Sequence, residues 1–477
     1  MGSTTERKSF AIISALLLCA MAMPTHAAII TVTNTNDSGL GSLREALRNA
    51  HDDDTITFAV TGTIALTSSG LPINKNITIS GPGSDQLSID GNQALLVFGV
   101  FPDKTAAISG LTVRNGQTGI WNQQGTLTVS NCAVSGNSAV GLYNDGTLTV
   151  SNCVVSSNSF GLSNDHATLT VSNCVVTANS YGGIDNNGSH GPTRLVERGN
   201  DHRSATKIYD ECFAGACLTV DNSVISDNSG TAVYNTGSVT VLNSTLSGNS
   251  VQGDGGGGIR SGSFKTPGNL VTVVNSTISG NSAQAGGGIF SEYGLVSIIN
   301  STVSGNSAGD AGGGISNYAG AVQIANSTLS GNSAVSGGGV YNAPDQFGAA
   351  TIETGNTIFN AGASGENIVN NGGTVTSHGY NVCSDNGGGY LKGLGDQINT
   401  DPLLGPLQDN GGPTLTHALL PGSLAIDAGD PNFTPPPFHD QRGPCFYRVF
   451  GRRIDVGSVE TQPGPRCVTP KPRPTPH

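Results

Sequence analysis

The chain has 477 residues, of which 69 are glycine, while charged residues make up 11% and aromatic residues 5%. Glycine stands at about twice its usual share and charge at less than half, with Lys and Glu too scarce for a helical protein and no charge or proline excess of the kind that keeps a chain disordered. The glycines have no collagen period, and a net charge of −12 without a basic cluster excludes a nucleic-acid binder, which leaves a Gly- and Asn-rich β protein.

Residues 1–27 read as a secretory signal: Arg7 and Lys8 precede the apolar run Phe10 to Ala22, and Thr25-His26-Ala27 offers a small-residue cleavage site. Removing Glu6, Arg7 and Lys8 takes away one net positive charge, so the mature chain would carry about −13. No other stretch is apolar and long enough to predict a transmembrane helix. An N-terminal cap is expected over 28–55. Ser42-Leu43-Arg44-Glu45 is a capping-box sequence, and Leu43, Ala46, Leu47 and Ala50 follow helical spacing. The helix would lay its apolar face over the open end of the repeat region, with His51-Asp52-Asp53-Asp54 as the polar turn after it.

From 56 to 395 the sequence repeats. Asn-Ser-Thr-Leu-Ser-Gly-Asn-Ser at 243–250 returns at 275–282, 300–307 and 326–333 with at most one residue changed. Degenerate copies begin at Asn131, Asn152, Asn173 and Asn222, and the successive starts are 21, 21, 49, 21, 32, 25 and 26 residues apart. The interval of 49 reads as hiding one distorted copy. An alternating strand such as Leu148-Thr149-Val150 precedes each copy, and a Gly-rich turn with a third apolar segment follows it, as in Gly286 to Ile289 and Gly312 to Ile315. An Asn then recurs at 122, 144, 164, 235, 317 and 342, read as a corner residue able to ladder with the next coil. Three short strands per repeat, with Gly and Asn suited to left-handed corners, describe an all-β parallel solenoid of about a dozen coils, roughly 60 Å long. Alternation puts Ser301 and Val303 inside and Thr302 outside. Ser, Thr and Asn ladders tolerate the ~4.8 Å stacking that would set like charges against one another.

This grammar resembles the right-handed parallel β-helix repeats of the pectin-lyase-like superfamily and, more distantly, those of chlamydial polymorphic outer-membrane proteins. The stretch Val32 to Ala50, with Gly41-Ser42-Leu43-Arg44-Glu45-Ala46, resembles the SLREA-type N-terminal segment of secreted bacterial β-helix proteins. Near Asp396 the character changes. Asp401-Pro402-Leu403-Leu404-Gly405, Asp409 to Thr414, His417 to Ser423, Ala425 to Gly429, Asp440-Gln441-Arg442-Gly443 and Ile454-Asp455-Val456-Gly457 succeed one another in that order. Residues 396–460 thereby resemble a choice-of-anchor Q module, which implies a place at the bacterial cell surface. The tail, 461–477, has prolines at 463, 465, 470, 472, 474 and 476 and reads as a stiff extended segment.

Candidate chemistry is sparse. Cys132, Cys153 and Cys174 share one repeat position that later copies fill with Ser223, Ser244 and Ser276, so they read as small buried groups. Cys212 and Cys217 could close a local disulfide. Nothing points to a metal or cofactor. A charged insertion at 188–211 interrupts the repeat, and Arg194, Arg198, His202 and Arg203 in it are candidate ligand-binding residues. A second candidate set is Trp121, Tyr143 and Tyr234 with Asp145 and Asp165, because aromatic faces beside carboxylates can hold sugars. The strands are nearly free of Asp, Glu, Lys and Arg, so the leading expectation is a non-enzymatic secreted or cell-surface protein that binds extracellular polysaccharide or a cell-surface glycan or mediates adhesion. A polysaccharide lyase or glycoside hydrolase is the alternative, and a structural surface component the third.

Overall fold

A computed structural model describes residues 27–93, 96–188, 215–253, 255–262 and 269–464. The signal segment apart from Ala27, the charged insertion apart from Gly188, Cys212 and the tail beyond Gly464 lie outside the described residues.

The rod is a parallel β-helix. Three strands form each coil and contribute in turn to a first sheet of 14 strands, a second of 13 and a third of 12. In one coil these are Thr126–Ser130, Ala133–Ser135 and Val140–Asn144. The next strand of the first sheet, Thr147–Ser151, pairs with Thr126–Ser130 so that Leu127 faces Leu148 and Val129 faces Val150. Such register persists because a slip of one residue would turn every apolar side chain outward. The core is therefore made of columns: Leu127, Leu148, Leu169 and Leu218 on the first sheet, Val134, Val155, Val176 and Ile225 on the second, and Ile120, Leu142, Leu162 and Ile184 on the third, all buried.

The octet has a physical role at nearly every position. Its first Asn turns the corner with positive φ: Asn131, Asn152 and Asn173 all sit at 52° and Asn300 at 52°, a region that Asn tolerates through its short polar side chain. Its second residue fills the small slot inside. Its seventh, again Asn, is buried and links the coils. Asn137, Asn158, Asn179, Asn228, Asn249, Asn281, Asn306 and Asn332 form one unbroken ladder, each Nδ2 donating to the Oδ1 of the next at 2.7–3.1 Å. A second ladder runs through Asn122, Asn144, Asn164, Asn186 and Asn235. These asparagines lie at the inner end of third-sheet strands, not at a left-handed corner as their recurrence in the sequence suggests.

The interval of 49 residues is also corrected. Strand Thr168–Ser172 pairs directly with Cys217–Asp221, and Val175–Thr177 with Val224–Ser226. It is a single coil that carries the insertion, with no hidden copy.

The cap helix spans Leu43–Asn49, with Ser42 as N-cap accepting from the Glu45 backbone N–H. Leu43, Ala46 and Leu47 are buried, and the helix packs on strands Ile29–Val32 and Leu71–Ile73. The capping box is half formed, because the Glu45 carboxylate accepts from Arg48 and Asn49 instead of returning to the N-cap. Arg44 ties the cap to the rod: it pairs with Asp37 at 2.6 Å and donates to Gly70 O at 2.9 Å. Despite the rise that burial alone would cause, hydrogen bonds from Arg44, Ser68 and Thr67 hold Asp37 down at about 2. Asp54, buried at 4% exposure, accepts from the Ala28 and His51 backbone N–H groups.

Residues 396–460 add no full coil: Gln397 makes a single parallel bridge to Val382 at the end of the second sheet. The segment beyond that bridge folds back along the outside of the second sheet, over the octets at 275–282, 300–307 and 326–333. Gln441 donates to Thr277 Oγ1 at 2.8 Å and accepts from Thr302 Oγ1 at 2.6 Å. Ser458 N donates to Thr328 Oγ1 at 3.0 Å, and His417 Nε2 meets Ser304 Oγ at 2.8 Å. The outward threonines of these octets are consequently buried, Thr302 at 0% exposure, whereas the equivalent Val154 in an uncovered coil is 45% exposed. Inside the module Asp440 accepts from the Arg442 side chain and from Glu460 N, and Arg442 lies 3.9 Å over the Phe446 ring. Among the described residues no helix is long and apolar enough to cross a membrane.

Candidate functional site

With the second sheet's face covered at 275–333, the chemically varied surface is the outer face of the third sheet. Parallel register aligns one outward residue per coil into a single row: Trp121, Tyr143, Ser163, Asp185, Tyr234, Arg260 and Phe290. Trp121, Tyr143, Ser163, Asp185 and Tyr234 each stand just before a buried ladder asparagine, which holds the backbone beneath them fixed.

At the N-terminal end of the row Trp121 and Tyr143 meet edge to face at 5.7 Å. Trp121 Nε1 donates to Asp145 Oδ2 at 3.0 Å, and Tyr143 OH donates to Asp165 Oδ2 at 3.0 Å. Each ring is thus locked by a carboxylate from the following coil. Burial, the hydrogen bond to Asp165 and the nearby Asp145 charge raise the Tyr143 phenol above its usual range. His166 Nδ1 meets the other Asp165 oxygen. Three residues before Tyr143, the outward Val140 pairs with Phe160, whose ring stacks on Tyr181 at 5.8 Å. Tyr181 is 67% exposed and Trp121 36%.

Asp185 lies next in the row after Ser163. It is half-buried with one hydrogen bond to its side chain, from Asn187 Nδ2 at 2.9 Å. Burial and the nearby Asp165 charge outweigh that bond and push its carboxyl up to about 6. Beyond it, Arg260 sits between the rings of Tyr234 and Phe290, 5.7 Å from each centroid. Two aromatic pairs, the carboxylates of Asp145, Asp165 and Asp185, and the Arg260 cation therefore share a strip of surface. Such a strip can stack sugar rings, hydrogen-bond their hydroxyls and, through Asp185, exchange a proton near neutral pH.

The structure brings Trp121, Tyr143, Asp145, Asp165 and Tyr234 onto this one face. Arg194, Arg198, His202 and Arg203 lie outside the described residues, in the insertion that begins at Gly188, three residues after Asp185. Cys217 and Cys445 each take part in a disulfide, and Cys212 lies outside the described residues. Cys132, Cys153, Cys174 and Cys383 are free and buried. Sequence reasoning passed over Asp185, Phe160, Tyr181 and Arg260. For Asp185 the signal was its place before Asn186, equivalent to Tyr143 before Asn144.

A family described as "Right handed beta helix region" matches residues 52–198. No curated protein matches the sequence. Among solved structures, the A-module of a mannuronan C-5 epimerase from Azotobacter vinelandii superposes with a TM-score of 0.54 at 16% identity, over 73% of this chain and 98% of that one. A pectate lyase gives 0.41 at 14% identity, covering 91% and 96% of the two chains. A family 6 polysaccharide lyase from Pseudopedobacter saltans gives 0.34 at 13% identity, covering 63% and 84%. The chain has a right-handed parallel β-helix fold.

Proposed function

We propose that this is an exported β-helix protein that binds an extracellular polysaccharide along the outer face of its third sheet, with residues 396–460 acting as a choice-of-anchor-type module at the cell surface. The observation that supports binding is the locking of Trp121 and Tyr143 by Asp145 and Asp165. Exposed rings held in fixed orientation lose little entropy on meeting a sugar. The test is retention of the purified protein on a panel of immobilised polysaccharides. Trp121→Ala and Tyr181→Ala should each reduce retention while leaving the circular dichroism spectrum intact. Full retention by both variants would refute the site.

A second reading, cleavage or epimerisation of the bound polysaccharide, is favoured by Asp185. A carboxyl titrating near 6 can hold a proton and release it at physiological pH. Incubation with the retained polysaccharide, followed by assay for unsaturated or reducing ends and for changed uronate composition, decides between the readings. Product that disappears with Asp185→Asn would make the protein an enzyme, and its absence leaves binding alone.

A further inference from the structure

The first sheet carries on its outer face a feature that the glycan reading does not use. Three successive strands have the same sequence, Thr-Leu-Thr-Val-Ser, at Thr126–Ser130, Thr147–Ser151 and Thr168–Ser172, and they pair in register. Their leucines and valines point in and their hydroxyl residues point out. Thr126, Thr147 and Thr168 form one exposed column, extended by Thr105. Thr128, Thr149 and Thr170 form a second, extended by Thr219 and Thr240. Ser130, Ser151 and Ser172 form a third, extended by Ser109. Over these four coils no outward position of the sheet holds a charged or aromatic side chain, although the protein as a whole carries a net charge of −12. Among the described residues, the six threonine hydroxyls of the repeated strands have no hydrogen-bond partner. The two asparagine ladders and the packed columns beneath keep the net rigid.

A neutral net of free hydroxyls and methyl groups suits a partner that is itself periodic and hydrogen-bonding. Stacked strands repeat every ~4.8 Å. In a tetrahedral water network with oxygens ~2.8 Å apart, second neighbours lie about 4.5 Å apart. The mismatch of about 0.3 Å per coil adds to about 0.6 Å across the three identical coils, within the swing of a rotating hydroxyl. Sugar rings dock on aromatic faces, which this net lacks and the third sheet has. We infer that the outer face of the first sheet over 105–172 is a binding surface for ice, with the threonine columns holding a layer of lattice water and the methyl groups filling the spaces between.

The full chain is tested for inhibition of ice recrystallisation and for a gap between melting and freezing temperatures, beside a Thr149→Lys variant and a Thr149→Val variant. Thr149 is the centre of the net, and both replacements leave its inner neighbours Leu148 and Val150 in place. The native chain is expected to arrest crystal growth, Thr149→Lys to lose that effect, and Thr149→Val to weaken it, with unchanged circular dichroism throughout. A Trp121→Ala variant should keep the effect, which separates this surface from the glycan strip. Unhindered crystal growth with the native chain would overturn the inference. So would full activity of Thr149→Lys, or retention on crystalline cellulose or chitin that Thr149→Lys abolishes without any effect on ice.

Discussion

Gln441 joins two coils of the rod through Thr277 and Thr302, donating from Nε2 to one hydroxyl at 2.8 Å and accepting at Oε1 from the other at 2.6 Å. Nε2 also lies 3.0 Å from Thr414 Oγ1 and 3.1 Å from Ser276 O. All of these groups are buried, so truncation leaves donors and acceptors stranded in the interface, at roughly 1–3 kcal/mol for each group. Gln441→Ala should release residues 396–460 from the rod. Limited proteolysis should cut within 396–460 in the variant and spare it in the native chain, while the melting of the coils stays within a few degrees.

The attachment should also respond to pH. Burial, and then the nearby Asp455 charge, push the Glu460 carboxyl up to about 8, against the pull of Arg448. A carboxyl raised in the folded state binds more protons there than in the unfolded chain. Its contribution is therefore fully present below the ordinary carboxylate range and is lost as pH rises through about 8. Between pH 5 and 8 module stability is expected to fall by up to about 1.4 kcal/mol per pH unit from this group. Asp455, also raised by burial, acts in the same direction. Denaturant titrations at pH 5, 7 and 9 should show the decline, and Glu460→Gln should flatten it.

Asn179 accepts from both the backbone and the side chain of Asn158, at 3.0 and 3.1 Å, and donates to Asn228 at 2.9 Å. It is fully buried. Asn179→Leu strips two donors of their acceptor and should cost about 3 kcal/mol. Thermal melts of this variant and of Asn243→Ala, at a half-exposed corner, should differ by several degrees, with the ladder variant the less stable.

Cys153 predicts the opposite behaviour. Its Sγ donates to Ser151 O at 3.2 Å and accepts from Cys132 N at 3.3 Å. Ser244 makes the same two bonds in a later coil, to Leu242 O and from Ser223 N. Cys153→Ser should therefore change stability by less than about 1 kcal/mol, whereas Cys153→Val, which removes the acceptor, should cost about 1–3 kcal/mol. Calorimetry of the two variants distinguishes them.

Much of the rod was legible because its information is local and periodic. The alternation of Leu148-Thr149-Val150 assigns faces, and the left-handed corners recur at the first Asn of each octet. The ladder asparagines were misplaced because Asn favours both corners and buried ladders, and composition does not separate the two. The coil that ends at Asn187 hid Asp185 because its third strand, Gly-Gly-Ile-Asp-Asn-Asn, departs from the common wording. The docking of residues 396–460 was illegible for another reason. Its contacts join positions 113 to 165 apart, such as Ser304 to His417 and Ser276 to Gln441, and no period in the sequence points from one to the other.

The return of the C-terminal segment along the second sheet divides the rod into a stretch whose coil count is fixed and a stretch whose coil count is free. Gln441, His417 and Ser458 meet hydroxyls on three consecutive coils at fixed vertical spacing, so the segment works as a gauge that fits only one count of coils between Thr277 and Thr328. A coil gained or lost there would leave the gauge out of step. A coil gained or lost before Asn243 changes only the length of the rod.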